Sequence, residues 1–250
     1  IGGKEIYTGN KGQCRMPHNH QHIIAEFHKA GTDEVYNAID TAIDAWYSWS
    51  NTPIRERTAI FRRAAELLAG SWRDTINVAT MLNQSKNVYQ AEIDSACELI
   101  DFFNFNSQFA EDICSNQPLI SPDGMNNSLE YRALEGFVFA VSPFNFTSIA
   151  GNLPTAPALM GNVVIWKPSS SSVYSGYFIM ELLHEAGLPK GVINFLPGSG
   201  NQVGDPIMNS PHLAGVHFTG STEVFQGMWK KIGVNISTYN TYPRIVGETG

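Results

Sequence analysis

Two continuous apolar runs, Phe137-Val138-Phe139-Ala140-Val141 and Val163-Val164-Ile165-Trp166, constrain this chain more than any other feature. Each is short, bounded by turn residues and without polar alternation, so each reads as a strand covered on both faces of a parallel sheet. The first stops at Ser142-Pro143 and the second at Lys167-Pro168. Between them, Asn152 to Met160 is a small-residue stretch carrying Pro154 and Pro157, read as a helix closed by Gly161. That is one strand-helix-strand unit. Ligands of open parallel sheets gather beyond the carboxyl ends of the strands, and there this unit places Ser142, Asn145 and Lys167.

The alternation continues to the end of the chain. A helix near Val173 to Glu185 stops at Gly187-Leu188-Pro189, and a strand follows at Val192 to Leu196. Then come a short helix near Gln202 to Met208, a strand at Leu213 to Phe218, a helix from Thr222 to Ile232 and a strand at Arg244 to Val246. Strands alternating with helices predict an α/β fold with a doubly wound parallel sheet. Before Phe137 the pattern is helical. Thr32-Asp33-Glu34 and Thr52-Pro53 start two helices, Asp74 starts a third, and Ala91 to Ala110 makes a long fourth. Residues 1–31 show no sustained period and read as strand or loop, with His18, His20 and His22 as a polar exposed strand rather than metal ligands.

With 43% hydrophobic residues in 250, a full core is available. The net charge of -7, with Lys and Arg scattered, argues against a nucleic-acid surface. No apolar run approaches the roughly 20 residues of a membrane span, so a soluble protein is expected. Cys14, Cys97 and Cys114 are widely spaced, which suggests neither a disulfide framework nor a zinc site.

If the strands are right, polar clusters at residues 142–145, 167–170, 198–201, 219–222 and 247–248 share one sheet edge. GSGNQVG at 198–204 resembles a glycine-rich phosphate loop, but its last spacing is one residue too long. FTGS at 218–221 joins a strand to a helix, so amides at Ser221 and Thr222 could face a phosphate, or Ser221 is an ordinary helix cap. Asn145 is either a locally bonded turn residue or a donor aimed into the cleft. Glu248 is either a base or a surface acid.

SPFNF at 142–146 and WKPS at 166–169 resemble the aldehyde dehydrogenase superfamily. LEGFVFAVSPFNF at 134–146, AEIDSACELIDFFNFN at 91–106 and YPRIVGETG at 242–250 resemble its 1-pyrroline-5-carboxylate (glutamate semialdehyde) dehydrogenase branch. The resemblance implies a Rossmann-like cofactor domain binding NAD through Ser142, Pro143, Phe144, Lys167, Ser169, Ser170, Gly198, Gly220, Ser221 and Thr222. Ser170 stands where many relatives have an acid on the ribose, which leaves NAD against NADP open. Asn145 is implied as the oxyanion donor and Glu248 as the water-activating base, with Phe146 and Glu98 near a small aldehyde substrate and no metal. The nucleophilic cysteine of the family lies beyond its G-E-x-G motif, so these 250 residues are expected to lack it and to be inactive alone. The implied organisation is residues 1–114 as the N-terminal and helical part, 115–136 as an excursion with an oligomerisation strand at Ser128 to Arg132, and 137–250 as the dinucleotide-binding core. The implied activity is oxidation of glutamate semialdehyde in proline degradation by a homodimer or higher homo-oligomer, in the mitochondrial matrix if eukaryotic and otherwise cytoplasmic. Alternatives are a general aldehyde dehydrogenase of another branch, or a non-catalytic nucleotide-binding module.

Overall fold

The computed structural model describes residues 1–250. An antiparallel hairpin, β1 (Lys11–Met16) and β2 (Asn19–His28), opens the fold. Helices α1 (Thr32–Ser50), α2 (Ile54–Ala69) and α3 (Arg73–Gln84) follow. The long fourth helix is composite: α4 (Val88–Ala91), a π-helical turn at Glu92–Cys97, and α5 (Glu98–Ser115). The Arg73–Glu92 ion pair and the buried Ser95 hydroxyl, shared with Asn77 and the Ala91 carbonyl, hold the wide turn that helix periodicity does not reveal.

β3 (Phe137–Val141), α6 (Thr147–Leu159), β4 (Val163–Lys167), α7 (Val173–Ala186), β5 (Ile193–Phe195), α8 (Gly200–Met208), β6 (Leu213–Gly220), α9 (Thr222–Val234) and β7 (Arg244–Thr249) complete the chain. The five-stranded sheet is parallel throughout, in the order β5-β4-β3-β6-β7. The strand sequence runs outward from β3 to β5, then returns to β6 on the other side of β3. The topological switch point therefore lies between β3 and β6, where a doubly wound fold opens its ligand crevice. Phe137, Phe139, Ile165 and Trp166 are fully buried, as the continuous apolar runs require. Gly136 enters β3 with φ +122, where a Cβ would sit 2.1 Å from the His212 carbonyl oxygen.

Several boundaries differ from the expectation: β6 and β7 run on to Gly220 and Thr249, and four further differences trace to named side chains. Gly31 is the N-cap of α1, its amide bonded to Glu34 Oε2 at 2.8 Å, so Thr32 is already helical. The Thr52 hydroxyl donates back to the Ser48 carbonyl at 3.0 Å, closing α1 instead of capping α2. α6 begins five residues early, because the Thr147 and Ser148 hydroxyls bond to Gln84 and Glu98 and do not compete for the helix backbone. Ser128 to Arg132 forms no strand, having no partner strand in the chain. Instead the Gln117 side-chain amide bonds both backbone groups of Leu129, folding residues 115–136 into a loop.

Candidate active site

A cavity of about 1110 Å³ lies along the carboxyl ends of β3, β4, β6 and β7. Ser142, Pro143, Phe144, Asn145, Phe146, Lys167, Ser169, Ser170, Gly220, Ser221 and Glu248 all line it. Loops separated by more than a hundred residues thus converge because parallel strands end at one edge.

The β3 turn divides its labour. Ser142 is buried and its hydroxyl accepts the Trp166 indole N–H at 2.9 Å, so it fastens β3 to β4. Phe144 and Asn145 are exposed, and the Asn145 amide has no hydrogen-bond partner in the protein. The local turn-bonding reading of Asn145 therefore finds no bond. Phe146 carries the Lys86 ammonium 3.9 Å from its ring centroid, and Lys86 is itself paired with Asp94.

Lys167 ends β4 with its ammonium touching only the carbonyl of Pro168, at 3.3 Å. Burial pushes its pKa below the ordinary lysine value, since removal from water disfavours the charged form. Its remaining donors point to no protein acceptor. Lys231, the other cation of the cavity, is held by Asp205 at 2.7 Å. On the serine turn, Ser169 and Ser171 hydroxyls lie 3.1 Å apart and the Ser170 hydroxyl donates to the Gly198 carbonyl at 3.4 Å.

Ser221 is a helix cap that also stands at the cavity. Its hydroxyl accepts the Val224 amide at 3.4 Å as the N-cap of α9, and it lines the cavity. Glu248 sits on β7 in register with Thr219 of β6 and faces the cavity without a hydrogen-bond partner.

Three expected residues stand outside. Gly198 is buried and does not line the cavity, and a Cβ there would come within 2.5 Å of Val203 Cγ2. Thr222 is exposed and donates to the Gly250 carbonyl at 3.4 Å. Glu98 accepts the Ser148 hydroxyl at 2.6 Å, tying α5 to α6. None of Cys14, Cys97 and Cys114 lines the cavity, and burial pushes the thiols of Cys14 and Cys97 up.

Sequence reading passed over Val224, Gly227, Met228 and Lys231, which form one cavity wall on α9. Their spacing of three and four residues is the available signal, on a helix with only Ile232 buried. Asp205 could not be found that way, because its pairing with Lys231 joins two helices 26 residues apart.

Residues 7–242 match the aldehyde dehydrogenase family. The chain belongs to that family. The probable delta-1-pyrroline-5-carboxylate dehydrogenase of Schizosaccharomyces pombe is 47% identical to this aldehyde dehydrogenase chain over all of it. The mitochondrial delta-1-pyrroline-5-carboxylate dehydrogenase of Homo sapiens is 45% identical, also over the whole chain. A crystal structure of the Delta-pyrroline-5-carboxylate dehydrogenase from Mycobacterium tuberculosis bound with NAD superposes over 100% of the chain, with a TM-score of 0.97 at 52% identity. The aldehyde dehydrogenase chain spans about half of these relatives: 46% of the S. pombe protein, 44% of the human protein and 47% of the crystallised chain.

Proposed function

We propose that this chain is the cofactor-binding part of an NAD-dependent 1-pyrroline-5-carboxylate dehydrogenase, which oxidises L-glutamate γ-semialdehyde to glutamate in proline degradation. One observation carries the reading: Asn145, Lys167, Ser221 and Glu248, from four different strand ends, face a single cavity at the switch point. The relatives named above supply the substrate.

The cavity fits a dinucleotide. Cβ atoms added at Gly200, Gly204 or Gly227 would meet nothing within 4 Å, so the walls leave room. Lys167 offers unused donors for ribose hydroxyls. The N-terminus of α9 at Ser221 offers the positive end of a helix to phosphate. Bound NAD supplies a hydride acceptor. Asn145 donates to the oxygen of the aldehyde as negative charge builds there, and a preorganised donor of this kind is worth about 3 to 4 kcal/mol. Glu248 takes the proton of the water that releases the acid. No cysteine lines the cavity, so the nucleophilic thiol would come from sequence outside these 250 residues, in keeping with the length of the relatives. The same fact favours, as the second reading, a nucleotide-binding module without catalysis.

The exposed Leu119, Ile120, Met125 and Leu129 of the 115–136 loop support a homo-oligomer contact there. Several eukaryotic relatives are named mitochondrial, which supports the matrix if the source is eukaryotic and leaves the cytoplasm otherwise. The test is NADH formation by the complete polypeptide with 1-pyrroline-5-carboxylate and with short aliphatic aldehydes. Preference for the former is expected. Turnover of only the aliphatic aldehydes overturns the substrate, and NAD binding without turnover of either supports the module.

A further inference from the structure

Beyond the residues that line the cavity, the geometry points to Asn83 as a positioning residue for dinucleotide binding: from the end of α3 it caps α7 and fixes the serine turn. This inference rests on the dinucleotide reading of the cavity.

α7 begins without a local cap. Ser172 occupies the N-cap position, yet its hydroxyl makes no capping bond to the helix. It lies 3.4 Å from the Pro143 carbonyl and 3.4 Å from the Ser169 carbonyl, joining the β4 turn to the β3 turn. The cap comes instead from 92 residues earlier in the chain, where Asn83 Oδ1 accepts the Ser175 amide at 3.1 Å. Ser175 is the third residue of α7, the position an N-cap side chain ordinarily satisfies. The other half of the same amide, Nδ2, donates to the Ser171 carbonyl at 2.6 Å. Asn83 is buried, and both of its polar ends are used. One side chain thereby closes the backbone on either side of Ser172 and leaves that hydroxyl free to reach across to the β3 turn.

The surroundings of Asn83 are built to the same end. α3 stops abruptly at Ser85, the one non-glycine residue with positive φ (φ 55), and the Ser85 hydroxyl lies 2.7 Å from His18 Nδ1 of the hairpin. A left-handed conformation is disfavoured for a residue with a Cβ and persists where surrounding contacts impose it. On the next face of α3, Thr80 Oγ1 and Gln84 Nε2 hold Thr147 Oγ1 at 2.7 and 2.9 Å, directly after the Asn145-Phe146 turn. The last turn of α3 is therefore a bracket on both cavity loops. Ser169 and Ser170, which line the cavity, sit on the loop that Asn83 holds.

The test compares Asn83→Leu, which keeps bulk and loses both bonds, with Asn83→Asp, which keeps the acceptor for the Ser175 amide. NAD dissociation constants by calorimetry, melting temperatures and amide exchange of residues 168–176 are measured on the full chain. Asn83→Leu is expected to exchange faster in that segment and to bind NAD about tenfold more weakly, in line with the loss of one or two buried hydrogen bonds. Asn83→Asp is expected to recover only part of that affinity, since it keeps the acceptor for the Ser175 amide but sets a carboxylate oxygen against the Ser171 carbonyl. If Asn83→Leu does not fold, Asn83→Ser is measured in its place with the same expectation. A folded variant that melts lower yet binds NAD as the wild type does overturns the inference, leaving Asn83 a plain structural cap. A wild type that fails to bind NAD overturns the dinucleotide reading itself, and this inference with it.

Discussion

Asn145 carries its amide on an exposed turn where nothing in the protein uses it. Truncating such a side chain leaves no buried group unsatisfied, so Asn145→Ala should change stability by no more than about 0.5 kcal/mol. Under the oxyanion role proposed for it in the complete polypeptide, the donor would matter only once charge develops on the aldehyde oxygen. NAD affinity should stay as it is, while single-turnover hydride transfer falls about 100- to 1,000-fold. A variant that melts several degrees lower and transfers hydride at the wild-type rate would make Asn145 structural. Ser142, three residues earlier, shows why motif membership alone does not assign a role. Its hydroxyl is already an acceptor for Trp166, so the sheet fixes what it presents to the cavity that it lines. Both residues belong to the same SPFNF motif, and only burial and hydrogen bonding separate them.

At the scale of elements, α6 is the least self-sufficient piece of the fold. Pro154 and Pro157 lie inside it, and an interior proline removes a helix hydrogen bond. Pro157 cannot donate to the Leu153 carbonyl, and His217 Nδ1 of β6 bonds that carbonyl at 2.9 Å. At the helix end, Trp49 Nε1 donates to the Ala158 carbonyl at 2.8 Å and the buried Arg57 Nε to the Leu159 carbonyl at 2.9 Å. His217→Phe would leave the Leu153 carbonyl buried and unpaired, an expected loss of about 1 to 3 kcal/mol in denaturant unfolding. The same residue predicts a pH effect. Burial pushes the His217 pKa below its ordinary 6.5, against the smaller opposing effect of the Leu153 carbonyl. The unfolded chain therefore binds the proton first, and the stability His217 contributes is present above 6.5 and lost as pH falls through the folded value. The wild type should lose stability across that window relative to His217→Phe; parallel pH profiles would show that His217 is not the titrating group.

For the whole molecule, the cavity at the switch point makes ligand binding and folding one equilibrium. NAD at 100 times its dissociation constant should stabilise the protein by about 2.7 kcal/mol, or roughly 5 to 10 °C in Tm for a chain of this size. Lys167→Met should shrink that shift in a thermal melt, and an equal shift in wild type and variant would remove Lys167 from the site. The parallel sheet behind this cavity was legible in the chain, because a strand buried on both faces must be apolar at every position. Phe137 to Val141 and Val163 to Trp166 could be little else. The edge location of Asn145, Lys167, Ser221 and Glu248 followed from where those runs stop. The π-helical turn, the pairing of Asp205 with Lys231 and the displacement of Gly198, Thr222 and Glu98 from the cavity were not legible. Each depends on which side chain fills a space left by a segment far away in sequence. Local pattern thus determined the five parallel strands and the motifs at their ends, but neither the strand order nor the absence of a strand at Ser128 to Arg132, which depend on partners distant in the chain. Which polar groups stay free to do chemistry was decided only by tertiary packing, because a hydrogen bond is available to a ligand only when no distant partner has taken it.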